Sequence, residues 1–149
     1  MYSVQVRKAE PLRVACIAHT GPYQELGPVY DRLEAWVKKK GTASGFVREI
    51  GYDNPMQTPP EKCRQEICVP IAKAVRPDDE VRIKTLPAAE IVAVVHRGGL
   101  DFESLGPAYR TLMEFAAKEG KQAQYSIITY YTPPQRRNDA EVEIALVVG

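Results

Sequence analysis

Two glutamates in matching strings are the residues of this sequence best suited to chemistry. Glu66 opens the string EICVPI, and Glu143 opens EIALVV 77 residues further along the chain. Because side chains of a strand alternate between its two faces, each string would place its aliphatic residues on one face and its glutamate on the other. Most strand glutamates are simply exposed to solvent. The repetition favours a site, in which a half-desolvated carboxylate attracts a cation or acts as an acid or base with a raised pKa.

Aromatic residues would wall such a site. Tyr52 and Tyr131 occupy matching places in the two halves of the chain, and a tyrosine suits a groove because its ring is apolar and its hydroxyl polar. Planar apolar or cationic ligands stack on such surfaces. Trp36 and Phe115 also fit the buried stripe of a helix, so core and groove roles both stay open for them. The candidate ligand-binding set is Glu143, Glu66, Tyr23, Trp36, Tyr52, Tyr109, Phe115 and Tyr131.

The histidines and cysteines give weaker signals. His19 and His96 lack a third ligand at metal-binding spacing, so we expect them to form hydrogen bonds at strand ends. Cys16, Cys63 and Cys68 are an odd number without a CxxC pair, which predicts small buried side chains rather than disulfides or a zinc site. The sequence contains no motif of serine hydrolases, dinucleotide-binding proteins, P-loop proteins or zinc proteases. We therefore predict no metal and no cofactor.

An internal duplication would position these residues. The string LGPVYDRLEAWVKKKG, residues 26–41, aligns without a gap with LGPAYRTLMEFAAKEG, residues 105–120, and seven of the sixteen positions are identical. Upstream, RVACIAH matches EIVAVVH in the same way. Repetition of this kind indicates one structural unit that is present twice.

Each copy predicts the same order of elements. Pro28 and Pro107 suit the first turn of a helix, and Gly41 and Gly120 suit its end. Runs rich in β-branched and aromatic residues predict a short leading strand and a second strand before the helix, and two strands after it.

The predicted fold class is α+β, a duplicated strand-helix-strand-strand unit with pseudo-two-fold symmetry. We expect residues 1–149 to form a single domain, in which repeat 1 covers about residues 1–75 and repeat 2 about residues 79–149. The symmetry predicts that Glu66 and Glu143 converge on a central ligand cleft.

Composition excludes several classes of function. Twenty Lys and Arg offset nineteen Asp and Glu in the 149 residues, so the net charge of +1 provides no bulk field for nucleic acid or an anionic membrane. The N-terminal string MYSVQVRKAEP has no apolar signal core, and no apolar run approaches the roughly 20 residues of a membrane span. We expect a cytoplasmic protein that binds neither nucleic acid nor membrane directly.

Four strings taken together are similar to a known family. TGPYQELGPVYDRLEAWVKKKG, YDNPMQTPPEKCRQEICVPI, HRGGLDFESLGPAYRTLMEF and EVEIALVV resemble the GyrI-like small-molecule-binding family over essentially the whole chain. That family includes effector-binding domains of AraC-type and MerR-type multidrug-responsive regulators and stand-alone relatives of the gyrase inhibitory protein. The resemblance implies a cleft that binds amphipathic, often cationic, drugs through aromatic residues and a glutamate, which falls on Glu143 with Glu66 as its symmetry mate.

The resemblance implies three alternative functions. The first is a stand-alone protein that binds amphipathic, cationic or planar compounds. The second is a hydrolase of cyclopropanoid or similar electrophilic toxins, with Glu143 as its catalytic residue. The third is a protein-interaction role, with a partner such as a regulator or gyrase.

Overall fold

Eight strands and two helices follow one another in a computed structural model that describes residues 2–54 and 56–149. In chain order they are β1 (Gln5–Ala9), β2 (Leu12–Thr20), α1 (Leu26–Lys40), β3 (Arg48–Gly51), β4 (Arg64–Pro70), β5 (Arg82–Leu86), β6 (Ala89–Gly98), α2 (Phe102–Lys118), β7 (Ala123–Tyr130) and β8 (Ala140–Val148). Short 3-10 turns lie at Tyr23–Glu25 and Pro60–Lys62. The order strand, strand, helix, strand, strand occurs twice, which confirms the predicted α+β class and its duplication.

The chain folds into two compact units. The central unit is Pro11–Pro87, and the terminal unit combines Met1–Glu10 with Ala88–Gly149. Each unit is an antiparallel sheet with one helix, in the strand order β3-β4-β2-β5 in the central unit and β1-β6-β8-β7 in the terminal unit. The leading strands are exchanged relative to the sequence repeats, because β1 pairs with β6 and β5 pairs with β2. Each repeat thus supplies one strand to the sheet of the other.

Helix α1 follows from its apolar spacing. Its buried residues recur every three or four positions, which places them on one side of the helix: Leu26, Val29, Tyr30, Leu33 and Val37. The helix ends at Gly41, whose φ of 63° is left-handed and favours glycine. This side of α1 packs on β2 and β4.

Helix α2 begins one turn earlier than the sequence predicts. The Asp101 side chain caps it by accepting a hydrogen bond from the Ser104 N–H at 2.8 Å, so the helix starts at Phe102. Pro107 consequently lies inside the helix, and its predicted place in the first turn is wrong. The cause is the segment RGGLDF, which supplies a capping aspartate that repeat 1 lacks.

Alternation along β4 separates the two faces of the central sheet. Ile67 pairs with Glu49, and Glu49 accepts a hydrogen bond from Tyr30 of α1, so Ile67 lies on the face that α1 covers. Glu66 and Cys68 lie on the opposite face, as predicted. We call that surface the glutamate face of the central unit.

The terminal unit has the same arrangement. Glu143 pairs with Val95 of β6 and with Thr129 of β7 on one face of its sheet, which we call the glutamate face of the terminal unit. Further along this face, four buried residues form an apolar cluster: Ile91, Ala93, Ala145 and Val147. Glu143 thus lies on a largely apolar sheet surface.

Candidate functional site

Glu66 lies in a dense group of polar partners within the central unit. The carboxylate is 7% exposed. Its Oε1 accepts hydrogen bonds from the Tyr52 hydroxyl and from Lys84 Nζ, the latter at 2.5 Å. Its Oε2 accepts a longer one from Cys16 Sγ at 3.6 Å. The structure therefore brings two predicted residues, Glu66 and Tyr52, into direct contact.

These partners keep Glu66 ionised. Burial by itself raises the pKa of this carboxyl, but the Lys84 ammonium and the Tyr52 hydroxyl outweigh it, and the pKa falls below the ordinary 4.5. In the same way burial lowers the pKa of Lys84, while its bond to Glu66 brings that pKa above its usual value. Both partners are charged at neutral pH. The prediction of a raised pKa is wrong for Glu66, because it took no account of Lys84 as a partner of this carboxylate.

A concavity lies beside this carboxylate. Its volume is about 230 Å³, and it is lined by Ala18, His19, Thr20, Tyr52, Arg64, Gln65 and Glu66. The Arg64 guanidinium is 5.9 Å from the centroid of the Tyr52 ring and makes two side-chain hydrogen bonds to Asp53, at 2.9 and 3.0 Å. Tyr52 thus contacts the Arg64 guanidinium through the face of its ring and the Glu66 carboxylate through its hydroxyl.

Glu143 has a corresponding partner in the terminal unit. Arg7 of β1 donates two hydrogen bonds to its carboxylate, at 2.9 and 2.7 Å, and Glu143 is 7% exposed. This bond raises the pKa of the Arg7 guanidinium, burial opposes the rise, and the negative charge of Glu143 adds to it; Tyr131 also interacts electrostatically with Arg7. Tyr131, which follows β7, is therefore close to the ion pair.

The two cations occupy equivalent positions. Arg7 and Lys84 are 77 residues apart, like Glu143 and Glu66, and both lie on the exchanged leading strands. Each unit thus pairs a buried glutamate with a cation from the other repeat's leading strand. Neither cation belongs to the predicted set, although the offset of 77 applied to the leading strands identifies both.

The other four predicted aromatic residues lie on or next to the helices. Trp36 is half-buried on α1, where the Lys40 ammonium lies 5.7 Å from its ring centroid. Since α1 covers the face opposite Glu66, Trp36 is separated from Glu66 by the central sheet. Tyr109 and Phe115 are half-buried on α2. Tyr23 lies in the 3-10 turn before α1.

A second buried polar group lies between α1 and the central sheet. Glu49, 6% exposed, accepts a hydrogen bond from the Tyr30 hydroxyl at 2.5 Å. Gln65 donates to the Gly21 carbonyl at 2.9 Å, and its buried Oε1 has no hydrogen-bond partner among the described residues. Burial and then the Glu49 charge raise the pKa of Tyr23. The sequence analysis missed Glu49, because its matching position in repeat 2 is apolar.

The histidines form hydrogen bonds close to strand ends, as predicted. His96 bonds through Nδ1 to the Tyr2 hydroxyl and through Nε2 to the Gly99 carbonyl, both at 2.8 Å. His19 bonds to Glu25 at 3.2 Å. Within residues 2–54 and 56–149, no three His, Cys, Asp or Glu side chains are grouped to hold a metal ion. Neither helix of this described part is long and apolar enough to cross a membrane.

Comparison with known sequences gives two findings. The sequence model described as "GyrI-like small molecule binding domain" matches residues 2–148. A DNA gyrase inhibitor of Edwardsiella ictaluri (strain 93-146) is 33% identical over 72 residues, which are 48% of this chain and 44% of the inhibitor. The match thus spans less than half of that relative.

Several solved structures share the fold. The C-terminal domain of EcmrR has a TM-score of 0.82 at 19% identity, covering 100% of this chain and 98% of that one. A hydrolase from Listeria innocua has a TM-score of 0.70 at 11% identity, covering 98% and 91%. SAV2435, solved with tetraphenylphosphonium bound, has a TM-score of 0.62 at 7% identity, covering 99% and 94%. At these identities the likeness is one of fold.

Proposed function

Since the chain belongs to the GyrI-like small molecule binding domain family, we propose that it binds amphipathic cations on its glutamate faces. The observation that carries the proposal is the buried, ionised Glu66 with the Tyr52 hydroxyl on its carboxylate and a concavity of about 230 Å³ beside it. A buried carboxylate favours a cation strongly, because the surrounding medium screens its charge less than water does. The aromatic ring favours a flat or apolar ligand body.

The intramolecular cation explains how the ligand-free protein keeps this carboxylate buried. An unpaired buried charge is strongly unfavourable, and Lys84 supplies the missing partner. A cationic ligand would take the place of the Lys84 ammonium at Glu66. Glu66 would therefore still be paired with a positive charge. The Lys84 side chain is 37% exposed and flexible, which lets it move into water.

The same reasoning ranks the two glutamates. Arg7 holds Glu143 through two parallel hydrogen bonds, a geometry that is harder to displace than the single contact of an ammonium. We therefore propose Glu66 as the main cation partner. The family motif falls on Glu143, and the experiment below separates the two.

The test is isothermal titration calorimetry with two probes of nearly equal shape and opposite charge, tetraphenylphosphonium and tetraphenylborate. We expect saturable binding of the cation and none of the anion. Glu66→Gln should weaken cation binding about tenfold or more, since a hydrogen bond or contact to a charged group contributes about 1.5–3 kcal/mol. Glu143→Gln should weaken it less.

The matched control is Glu141→Gln. This residue precedes Glu143 on the same face of β8, but its side chain is 43% exposed and pairs with Arg97 at the surface. The affinity of the Glu141→Gln variant for tetraphenylphosphonium should stay within about twofold of that of the wild type. Unchanged affinity in both Glu66→Gln and Glu143→Gln, or tighter binding of tetraphenylborate, would contradict the proposal.

A second candidate function is hydrolysis of an electrophilic ligand at the same carboxylate. The observation that favours it is the position of the Glu66 carboxylate, which lines a concavity and is ionised, so that it can accept a proton there, although its lowered pKa makes it a weak base. The carboxylate would take a proton from water as the water attacks the ligand. Mass spectrometry of recovered ligands distinguishes the two functions, because hydrolysis adds the mass of one water and Glu66→Gln would abolish that product.

A third candidate is inhibition of gyrase, favoured by the match to the Edwardsiella ictaluri inhibitor. A supercoiling assay with purified gyrase tests it. Inhibition that persists in Glu66→Gln and Glu143→Gln would assign that role to another surface, whereas no inhibition by the wild-type chain would remove it.

A further inference from the structure

Cys16 and Cys68 face each other across the central sheet. They are directly paired between β2 and β4, on the glutamate face. Directly opposed residues of antiparallel strands have Cα atoms about 4.5 or 5.5 Å apart, and disulfides form at Cα separations of about 4.4–6.8 Å. Both thiols are free and buried, and each influences the pKa of the other. The register therefore places the two Cα atoms within the range in which disulfides form.

Three cationic residues are neighbours of this pair in the sheet. Arg82 of β5 is the cross-strand neighbour of Cys16, and Arg48 of β3 is the cross-strand neighbour of Cys68. Lys84, which reaches Glu66 on the same face, adds a third positive charge against the single carboxylate. Positive charge near a thiol favours the reactive thiolate.

The two thiols differ in acidity. The hydrogen bond from Cys68 lowers the pKa of Cys16; burial and Glu66 act against this, while the Lys84 charge acts with it. The same thiol–thiol bond, together with burial, raises the pKa of Cys68. Cys16 is thus the more nucleophilic thiol and Cys68 the one that keeps its proton.

The terminal unit carries no thiols at the corresponding positions. Offset by 77, Cys16 corresponds to Ala93 and Cys68 to Ala145, which are paired in the same register between β6 and β8. Both alanines are buried, like the cysteines. The fold accommodates two methyl groups at this place, so the two thiols are not needed for the strands to pair.

We propose that Cys16 and Cys68 are a peroxide-reactive dithiol that closes to a disulfide. The Cys16 thiolate attacks one oxygen of hydrogen peroxide, the O–O bond breaks, and Cys16 sulfenic acid forms with release of hydroxide. The Cys68 thiol then attacks the sulfenic sulfur, losing its proton, and the sulfenic hydroxyl leaves as water. The two thiols lose two electrons, which reduce one peroxide.

The position of Cys16 in the sheet determines how hydrogen peroxide reaches it and what the disulfide changes. Cys16 is 1% exposed, but hydrogen peroxide is close to water in size, and β5 beside it is an edge strand of the central sheet. Opening of that edge admits the oxidant. The disulfide removes the Cys16 S–H that donates to Glu66 and ties β2 to β4 covalently.

The test counts thiols in the full-length chain. The reduced protein is treated with hydrogen peroxide, quenched with catalase, denatured and alkylated with N-ethylmaleimide. We expect the three cysteines to fall to one alkylated thiol, Cys63, with a Cys16–Cys68 peptide pair that dithiothreitol releases. Cys63 is the internal control, because burial raises the pKa of its thiol. Three alkylated thiols, or a link to Cys63, would overturn the proposal.

Two variants assign the roles. In Cys68→Ala the Cys16 sulfenic acid cannot be resolved and should react with dimedone, while in Cys16→Ala no dimedone adduct should form on Cys68. Both variants install the residue that the terminal unit already carries, so we expect both to fold. Labelling of Cys68 in Cys16→Ala would refute the assignment, and so would the absence of label on Cys16 in both Cys68→Ala and Cys68→Ser, since the serine hydroxyl can still donate to Cys16. No ligand is present, so the outcome is independent of the proposed binding function.

Discussion

Removing the Lys84 ammonium tests the exchange of cations at Glu66. Lys84→Met keeps the apolar stem of the side chain and removes its charge. If a cationic ligand must displace this ammonium, the variant should bind tetraphenylphosphonium more tightly than the wild type. If Lys84 instead takes part in holding the ligand, the variant should bind more weakly.

The size of the effect follows from the exposure of the pair. Lys84 Nζ lies 2.5 Å from the carboxylate, with side chains 37% and 9% exposed. A pair whose cation is more than a third exposed contributes about 1 kcal/mol after solvent screening. Its removal should therefore tighten cation binding about fivefold.

The assay is calorimetric titration at neutral pH, where Glu66 remains ionised in the wild type. Lys38→Met is the control, since Lys38 is exposed in the last turn of α1 and should not alter the affinity. Unchanged or weaker binding of tetraphenylphosphonium by Lys84→Met would refute the exchange.

Three further predictions concern stability. Because the pKa of Glu66 is lowered from 4.5, its ionised form stabilises the fold above that value, and this contribution is lost as the pH falls through the lower folded pKa. The difference in free energy of unfolding between the wild type and Glu66→Gln, measured by urea denaturation, should therefore be largest near neutrality and shrink below about pH 4.5. Tyr30→Phe should reduce the free energy of unfolding by about 1–3 kcal/mol, because buried Glu49 loses a hydrogen bond. Asp101→Ala removes the cap on Ser104 and should lower the unfolding temperature by about 3 °C, corresponding to about 1 kcal/mol.

Matched variants check these stability changes. Tyr30→Phe in a Glu49→Ala background should cost less free energy of unfolding than the same change in the wild type, because the carboxylate that accepts the Tyr30 hydrogen bond is already absent. Equal losses would contradict the role given to the buried carboxylate. If the difference in free energy of unfolding between the wild type and Glu66→Gln grows as the solution is acidified, the sign of the pKa shift is contradicted. An unchanged unfolding temperature in Asp101→Ala would contradict the stabilising role of the Asp101 cap.

Repetition made most of the architecture predictable. The helices, the strands that flank them and the face occupied by Glu66 follow from strings that occur twice and from the period of their apolar residues. The partners of the leading strands did not follow, because the residues of β1 and β5 have similar patterns and each would pair with either repeat. Choosing between those pairings requires long-range contacts that no local string encodes.

The candidate site was predictable only in part. Glu66 and Tyr52 were identified together because both recur in the second half of the chain. Lys84 was not predicted, because it lies on a strand whose pairing partner the sequence leaves open. Without Lys84, the direction of the pKa shift of Glu66 could not be predicted either. Trp36 fits both core and groove by spacing alone, and only the side of the sheet that α1 covers separates it from Glu66. Fluorescence of this tryptophan is consequently a poor reporter for ligands at Glu66.

A crystal structure of the complex with tetraphenylphosphonium would locate the bound cation. We expect the cation against the Glu66 carboxylate and the Tyr52 ring, with Lys84 Nζ moved out of hydrogen-bonding distance of Glu66. A cation bound elsewhere, with the Lys84–Glu66 pair intact, would contradict binding by exchange at Glu66.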